Sequence, residues 1–193
     1  MSIQARRERE RAERERLIVT AARQLAETEG WDAVTTRRPA AEIEYSQPVL
    51  YSHFKGKDAI MAAVAVQGFD ELAQELRAAC TSVSGPREAL AAVGAAYAEF
   101  GDRRPALYDA MFTNVVDLPF ATTEAPPALR DAFGELHRTI QPLAGDDDPD
   151  IFAETFWSGL HGLVTLMRSG RLPREGHDRR LSLLIGHFAP TSA

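Results

Sequence analysis

Apolar residues recur along this chain with the 3.6-residue period of α-helices, and no segment shows the alternation typical of a β-strand. The first apolar stripe consists of Leu17, Ile18, Ala21, Ala22 and Leu25. It predicts a helix over residues 6–29, whose first half is rich in arginine and glutamate with opposite charges four residues apart. Gly30 suits the left-handed position that often follows a helix. The pattern predicts an all-α protein.

Two short helices are predicted next. The first follows Thr35 and Thr36, either of which could cap it. The second covers residues 47–54, because Ser46 is a good cap and Pro48 falls in the first turn, where a missing N–H costs nothing. Two short helices joined by a tight turn indicate a helix-turn-helix, a unit whose second helix lies in the major groove of DNA.

The second short helix has a small apolar face. Leu50 and Phe54 lie four residues apart, so they share one side of the helix and are predicted to anchor it. Gln47, Val49, Tyr51, Ser52 and His53 are largely left for the other sides. Six further helices are predicted over residues 57–80, 86–103, 105–115, 128–143, 149–169 and 177–188.

Charge is distributed unevenly along the 193 residues, although the net charge is −6. Residues 1–58 carry 11 Lys or Arg against 10 Asp or Glu, whereas residues 59–193 carry 11 against 18. The two parts therefore contribute +1 and −7. Because a local basic surface governs docking on phosphates more than overall charge does, the first part remains a candidate nucleic-acid-binding region.

Several classes of protein and site are disfavoured. No apolar run approaches the roughly 18 residues needed to cross a bilayer, and the N-terminus lacks the apolar segment of a signal peptide. Cys80 is the only cysteine, so no intrachain disulfide is possible, and we expect a cytoplasmic protein. The histidines lack metal-ligand spacing, and no catalytic constellation stands out, so we predict no metal, no cofactor and no enzyme activity.

The acidic run at residues 145–150 is another candidate cation site. It lacks the glycine and the glutamate that a calcium loop needs at its sixth and twelfth positions. Asp148 is predicted instead to cap a helix that begins with Pro149.

Motifs at fixed spacing cover most of the chain. The first set is Leu17-Ile18, Ala21-Ala22, Leu25-Ala26, Gly30-Trp31, Thr35-Thr36 and Leu50-Tyr51-x-His53-Phe54-x-Gly56-Lys57-Asp58. It resembles the DNA-binding domain of the TetR family of transcriptional repressors. A second, weaker set is Trp157-x-x-x-His161-Gly162 and Gly170-Arg171-Leu172. It resembles a C-terminal ligand-binding and dimerisation domain found in part of that family.

The resemblance implies a three-helix DNA-binding domain over residues 1–58 and a helical effector-binding and dimerisation domain over residues 59–193. The residues that it implies would face base edges are Gln47, Pro48, Val49 and Ser52. Those that would contact phosphates are Thr36, Tyr51, His53 and Lys57. Arg37 is a further residue that it implies would bind DNA. The chemistry agrees, because a glutamine amide can pair with adenine and the apolar atoms of Pro48 and Val49 can meet a thymine methyl.

Two positions depart from the family pattern. Pro39 stands in the second helix where isoleucine is usual, and it disfavours the α region for Arg38, which predicts a late start of that helix. Glu44 stands where the family has a turn glycine. If that turn still needs a positive φ, glutamate costs roughly 1 kcal/mol there.

Other residues have two interpretations. Tyr51 and His53 could pack against the next helix rather than contact DNA, and the arginine-rich start of the first helix could be a solvated face or a DNA-contacting arm. Trp157 and His161 share one helix face, where the histidine is either a hydrogen-bonded core residue or a polar group of an effector pocket. The predicted effector-site residues are Tyr97, Tyr108, Met111, Phe112, Trp157 and His161.

We therefore expect a homodimeric repressor that binds a palindromic operator and is released from it by a small-molecule effector. Two alternatives remain, a DNA-binding activator or architectural protein without an effector and, less favoured, a helical enzyme. No membrane partner is expected.

Overall fold

The computed structural model describes residues 3–120 and 122–190, and its regular structure in those ranges is entirely helical. The α-helices are α1 (Ile3–Glu29), α2 (Arg37–Glu42), α3 (Gln47–His53), α4 (Lys57–Thr81), α5 (Pro86–Arg103), α6 (Pro105–Phe112), α7 (Pro127–Ile140), α8 (Pro149–Arg168) and α9 (His177–Phe188). Two 3-10 turns cover Trp31–Ala33 and Gln141–Leu143. The all-α prediction is confirmed.

The predicted helices all form in the predicted order, and the differences lie at their ends. The α1 helix begins at Ile3 rather than at residue 6, and α6 ends at Phe112 rather than at residue 115. The α7 helix ends at Ile140, because Pro142 has no N–H with which to extend the α-helical hydrogen bonds, and a 3-10 turn follows. Asp148 caps α8 as predicted, since its carboxylate accepts hydrogen bonds from the backbone of Asp150 and Ile151.

The described chain forms two compact units. The first comprises Met1–Gly68 and Arg104–Ala125, and the second comprises Phe69–Arg103 and Pro126–Ala193. The α4 helix therefore begins in the first unit and ends in the second, and α6 belongs to the first unit together with the helix-turn-helix. The predicted division of functions at residue 58 stays a prediction.

The first unit is built around α1, which packs against α2, α3 and α6. Ile18, Leu50 and Ile60 are completely buried in it. Gly68 of α4 is the point where α6 approaches most closely, because a Cβ atom there would lie 2.5 Å from the Met111 sulfur. Any larger side chain at position 68 would require the side chains of Met111 and Leu107 to shift.

Hydrogen bonds fix the start of α6 in the same unit. The Trp31 indole N–H donates to the Ala106 carbonyl at 2.7 Å. The Glu27 carboxylate accepts from the backbone N–H groups of Ala106 and Leu107 at 3.1 and 3.0 Å. A helix N-terminus leaves such N–H groups without intrahelical partners, so Glu27 acts as the cap that α6 does not supply for itself.

The second unit places α5 against α7, α8 and α9. Close packing of its helices depends on glycines, because Cβ atoms at Gly94 and Gly159 would lie 3.2 Å from Leu181 and 2.8 Å from Leu184. Glu135 of α7 is a buried carboxylate, and it is paired with Arg77 at 2.6 Å and with Arg138 at 2.5 Å. Pairing is what makes a buried charge tolerable.

The two departures from the family pattern have different outcomes. The prediction of a late second helix is wrong, since α2 begins at Arg37 and contains Arg38 and Pro39. The proline lies within the first turn, where its N–H would have had no partner in the helix. The prediction for Glu44 is confirmed, because it has a φ of 56° and is the one non-glycine residue with positive φ among those described.

In the part of the chain that the structure describes, no helix is both long enough and apolar enough to cross a membrane.

We predict that Glu44→Gly raises the free energy of unfolding by about 0.5–1 kcal/mol. The left-handed conformation costs an L-residue roughly 1–2 kcal/mol, and glycine loses part of that gain through its freedom in the unfolded chain. Denaturant unfolding followed by circular dichroism measures the change. The control Glu42→Gly, at the last residue of α2, should lower stability by up to about 1 kcal/mol; equal effects of the two substitutions would contradict the prediction.

Candidate DNA-binding site

The α3 helix is held by few buried atoms. Ser46 precedes it in an extended conformation, and Pro48 occupies its second position. Leu50 is completely buried, while Pro48, Tyr51 and Ser52 are exposed and Gln47 and Val49 are half-exposed. The Ser52 hydroxyl donates to the Val49 carbonyl at 2.6 Å. Most of the side chains of α3 therefore remain available to a partner.

Tyr51 connects the two helices of the helix-turn-helix. Its side chain is 51% exposed, and its hydroxyl lies 3.1 Å from the hydroxyl of Thr36 at the start of α2. The predicted side-chain cap is absent, because Thr36 stands at the cap position in a helical conformation without a capping hydrogen bond. Its hydroxyl is directed to Tyr51 instead, so Thr36 and Tyr51 present adjacent hydroxyl groups.

The two arginines at the start of α2 have different surroundings. Arg38 donates two hydrogen bonds to the Glu29 carboxylate at 2.6 and 2.7 Å, and they hold the pKa of Glu29 below its usual value. Arg37 is exposed. Lys55, just beyond α3, is exposed as well and was not predicted as a site residue. Lys55 follows α3 almost directly in the sequence, and this position is the signal that could have identified it.

His53, at the end of α3, faces α1. Only 6% of its side chain is exposed, and its Nδ1 lies 3.2 Å from the carboxylate of Glu15. Arg11 also donates to that carboxylate, at 2.9 Å. Burial acts to raise the pKa of Glu15, but the hydrogen bonds from His53 and Arg11 outweigh it and the pKa is lowered. The phosphate contact predicted for His53 would require the ring to leave this position.

Lys57 begins α4, and its ammonium donates to the Trp31 carbonyl at 2.5 Å. An ammonium has three N–H donors, so this bond leaves two for other acceptors. The carbonyl belongs to the 3-10 turn whose indole binds α6. Lys57 therefore has a structural role beside the phosphate contact predicted for it.

The residues predicted for an effector site fall into both units. Tyr108, Met111 and Phe112 lie on α6 in the first unit, where the first two are buried and the rings of Tyr108 and Phe112 are 4.8 Å apart. The members in the second unit are Tyr97, Trp157 and His161.

Tyr97, Trp157 and His161 form a hydrogen-bonded cluster. The Trp157 indole donates to the Tyr97 hydroxyl at 3.0 Å, and His161 Nδ1 lies 3.3 Å from the same hydroxyl. Tyr97 is completely buried. Burial, and to a smaller extent the charge of Arg168, lowers the pKa of His161 below its usual value, so its imidazole is neutral near pH 7. The hydroxyl of Thr165 lies 3.4 Å from the other ring nitrogen of His161, so the cluster is a half-buried group of hydrogen-bonding side chains.

Two surface grooves stand out in the described chain, and neither contains a residue predicted for the effector site. One lies beside α1 and is lined by Arg9, Glu10, Glu13, Arg14 and Tyr45. The other lies at the N-terminal end of α8 and the C-terminal end of α9 and is lined by Asp147, Asp148, Ile151, Phe152, Thr155, His187 and Phe188.

Comparison with known proteins identifies the class that this fold and site define. Residues 18–64 match the model of the bacterial regulatory proteins of the tetR family. Residues 90–188 match the model of the tetracyclin repressor-like C-terminal domain. The chain therefore belongs to the TetR family, and it is a DNA-binding transcriptional regulator.

Individual relatives agree with this assignment. The chain is 30% identical to the uncharacterized HTH-type transcriptional regulator YobS of Bacillus subtilis (strain 168) over 53% of each chain. It is 27% identical to the uncharacterized HTH-type transcriptional regulator Rv0681 of Mycobacterium tuberculosis (strain ATCC 25618 / H37Rv) over 79% of this chain and 69% of that one. The matched part thus spans about half the length of the first relative.

A solved structure shows the same fold. A protein of unknown function from Rhodococcus sp. RHA1 superimposes with a TM-score of 0.76 at 24% identity, covering 90% of this chain and 92% of that one.

We expect Tyr51→Ala to weaken binding to an operator duplex by about 1–3 kcal/mol, because it removes an exposed ring and hydroxyl from the reading helix. Tyr51 contributes no buried anchor to α3, so the thermal unfolding midpoint should change little. The matched control is Phe120→Ala, which removes an exposed aromatic ring outside the helix-turn-helix. Fluorescence anisotropy with labelled duplex measures both. An unchanged affinity for Tyr51→Ala would remove Tyr51 from the interface.

Proposed function

We propose that this regulator is a cytoplasmic homodimeric repressor, without enzyme activity, that leaves a palindromic operator when a small molecule binds. The observation that carries the proposal is the exposed, polar and aromatic face of α3, a helix that completely buries only Leu50. Gln47, Pro48 and Val49 would meet base edges, while Thr36 and Tyr51 would hydrogen-bond to phosphates. A dimer with two such heads requires two half-sites related by twofold symmetry.

An uncharged stripe on α8 supports dimerisation. It follows the side of the helix opposite to the buried Phe156 and Leu160, and it consists of Ile151, Thr155, Ser158, Gly162 and Leu166. Ile151 is 63% exposed, and Leu183 of α9 is 59% exposed. Apolar side chains at this exposure, among small residues, favour a second helix pair across a twofold axis, which would complete a four-helix seam.

Gly162 is the position where a partner helix would approach this stripe. A Cβ atom there would meet nothing within 4 Å in the same protomer, whereas one at Gly159 would lie 2.8 Å from Leu184. The two glycines therefore differ in role: Gly159 serves packing within one chain, and Gly162 leaves room for the partner.

The cluster of Tyr97, Trp157 and His161 supports an effector site. A neutral imidazole and a phenol can each donate and accept a hydrogen bond, so they would orient one polar end of a molecule whose remainder is apolar. Because His161 is neutral, it would favour a neutral or weakly anionic ligand with one hydrogen-bonding group. The factor by which the ligand weakens operator binding must equal the factor by which the operator weakens ligand binding.

We predict that Gly162→Leu gives a monomer in sedimentation velocity at micromolar concentration, where the parent protein sediments as a dimer. The leucine would occupy the space of the partner helix, whereas its Cβ would meet nothing within 4 Å in its own protomer. Ala95→Leu, at an exposed position of α5, is the control and should remain dimeric. A monomeric parent, or a dimeric Gly162→Leu variant, would overturn the proposed seam.

We predict that apolar compounds with a single hydroxyl, amide or carboxylate group release the operator duplex from the parent protein. The ratio of operator affinities without and with compound is expected to be about 5–150. His161→Ala should reduce that ratio without changing operator affinity in the absence of compound, whereas His187→Ala, at an exposed position of α9, should keep it. If no such compound changes operator affinity, regulation by an effector of this class is excluded.

A further inference from the structure

The first half of α1 is a helix with almost no support from the rest of its unit. Residues 3–16, the arm, are exposed or half-exposed, and the first buried residue of α1 is Ile18. At 1.5 Å per residue the arm is about 21 Å long. Ion pairs hold it helical: Arg6 with Glu10, Arg11 with Glu15, and Arg16 with Glu13. A segment this short would be marginally helical without such pairs.

One face of the arm continues the buried face of α1. The buried face is formed by Ile18, Ala21, Ala22 and Leu25. The same side of the helix continues toward the N-terminus at intervals of three or four residues. From Ile18 it passes through Arg14, Arg11 and Arg7. The apolar stripe therefore becomes a stripe of three arginines at the point where the unit no longer covers the helix.

This arginine stripe lies beside the reading helix. Tyr45, two residues before α3, lines a groove together with Arg9, Glu10, Glu13 and Arg14 of the arm. His53, the last residue of α3, contacts Glu15. Residues at and just before α3 thus lie beside residues 9–15 of α1, and the arm continues from there to Ile3.

Two arginines of the stripe are available to an anion. Among the described residues, Glu10, Glu15 and Glu13 pair with Arg6, Arg11 and Arg16. Arg7 and Arg14 make no hydrogen bond or ion pair there, and their charges act on Glu10 only at longer range. Arg7 and Arg14 lie about 10 Å apart along the helix axis. A DNA strand carries one phosphate for about every 3.4 Å of its axis, so the stripe can reach more than one.

We propose that the arm is an accessory DNA-binding element, in which Arg7 and Arg14, with Arg11 between them, contact phosphates beside the base pairs that α3 reads. The inference rests on the proposed contacts of α3 with DNA. It assigns to the arm an affinity that does not depend on base sequence, since phosphate contacts position a protein without specifying bases. The opposite face of the arm carries Arg16, which pairs with Glu13.

The test compares two double variants of the full-length protein with equal loss of charge. Arg7→Ala/Arg14→Ala removes the proposed contacts, and Arg6→Ala/Arg16→Ala removes two exposed arginines that lie outside the stripe and outside the groove beside Tyr45. Affinity for a duplex selected by the parent protein is measured from about 50 to 200 mM salt. The slope of log affinity against log salt should become shallower by about 1.8 per bound protomer for the first variant, because each phosphate contact contributes about 0.9. The second variant should keep the parent slope.

Additional controls keep the outcomes distinct. Arg7→Lys/Arg14→Lys should retain the slope, and far-UV circular dichroism must show equal helicity in all variants, so that a melted arm is not taken for a lost contact. Equal slopes for parent and Arg7→Ala/Arg14→Ala, or equal losses in both alanine variants, would overturn the proposed face. A parent protein that binds no duplex would instead overturn the proposed function, and this inference with it.

Discussion

The small buried face of α3 is the constraint on which the DNA-binding account depends. Leu50 is its only completely buried side chain, so the helix cannot be positioned by its own core contacts alone. Its C-terminal half makes two polar contacts with other helices, between Tyr51 and Thr36 and between His53 and Glu15. Because α1 packs against both α2 and α3, it can hold α3 while most of the side chains of α3 stay exposed or half-exposed.

The start of α6 is likewise held by residues that lie outside that helix. Buried polar groups must be hydrogen-bonded, and the start of this helix meets that requirement through Glu27 and Trp31 of the DNA-binding unit rather than through its own sequence. The Lys57 ammonium binds the backbone carbonyl of Trp31, which connects the first residue of α4 to the same point. A displacement of α6 would therefore break hydrogen bonds in the unit that carries α3.

The sequence predicted what depends on local patterns. The order of helices and the anchor Leu50 follow from periodicity and caps, and they are confirmed. Phe54, the second predicted anchor, is only half-buried and lies just beyond α3, and the turn at Glu44 does keep the positive φ that was considered for it. Contacts between residues distant in sequence could not be predicted in this way, because no local signal shows that His53 turns toward Glu15, 38 residues earlier. The prediction of a late start for α2 was wrong, because Pro39 lies in the first turn of the helix. The packing of α2 on α1 outweighs the bias against a helical Arg38 there. The contacts with DNA and with an effector stay predictions.

The central claim is that α3 of each protomer reads a specific palindromic sequence. Selecting duplexes from a random library with the purified parent protein, and repeating the selection with Gln47→Ala, tests it most directly. The account predicts that the parent enriches an inverted repeat whose half-sites lie about one helical turn, or a multiple of it, apart. It also predicts that Gln47→Ala relaxes the preference at one symmetric pair of positions, because a glutamine amide discriminates adenine from other bases by about 1–3 kcal/mol. No enriched sequence, or the same specificity from both proteins, would contradict the account.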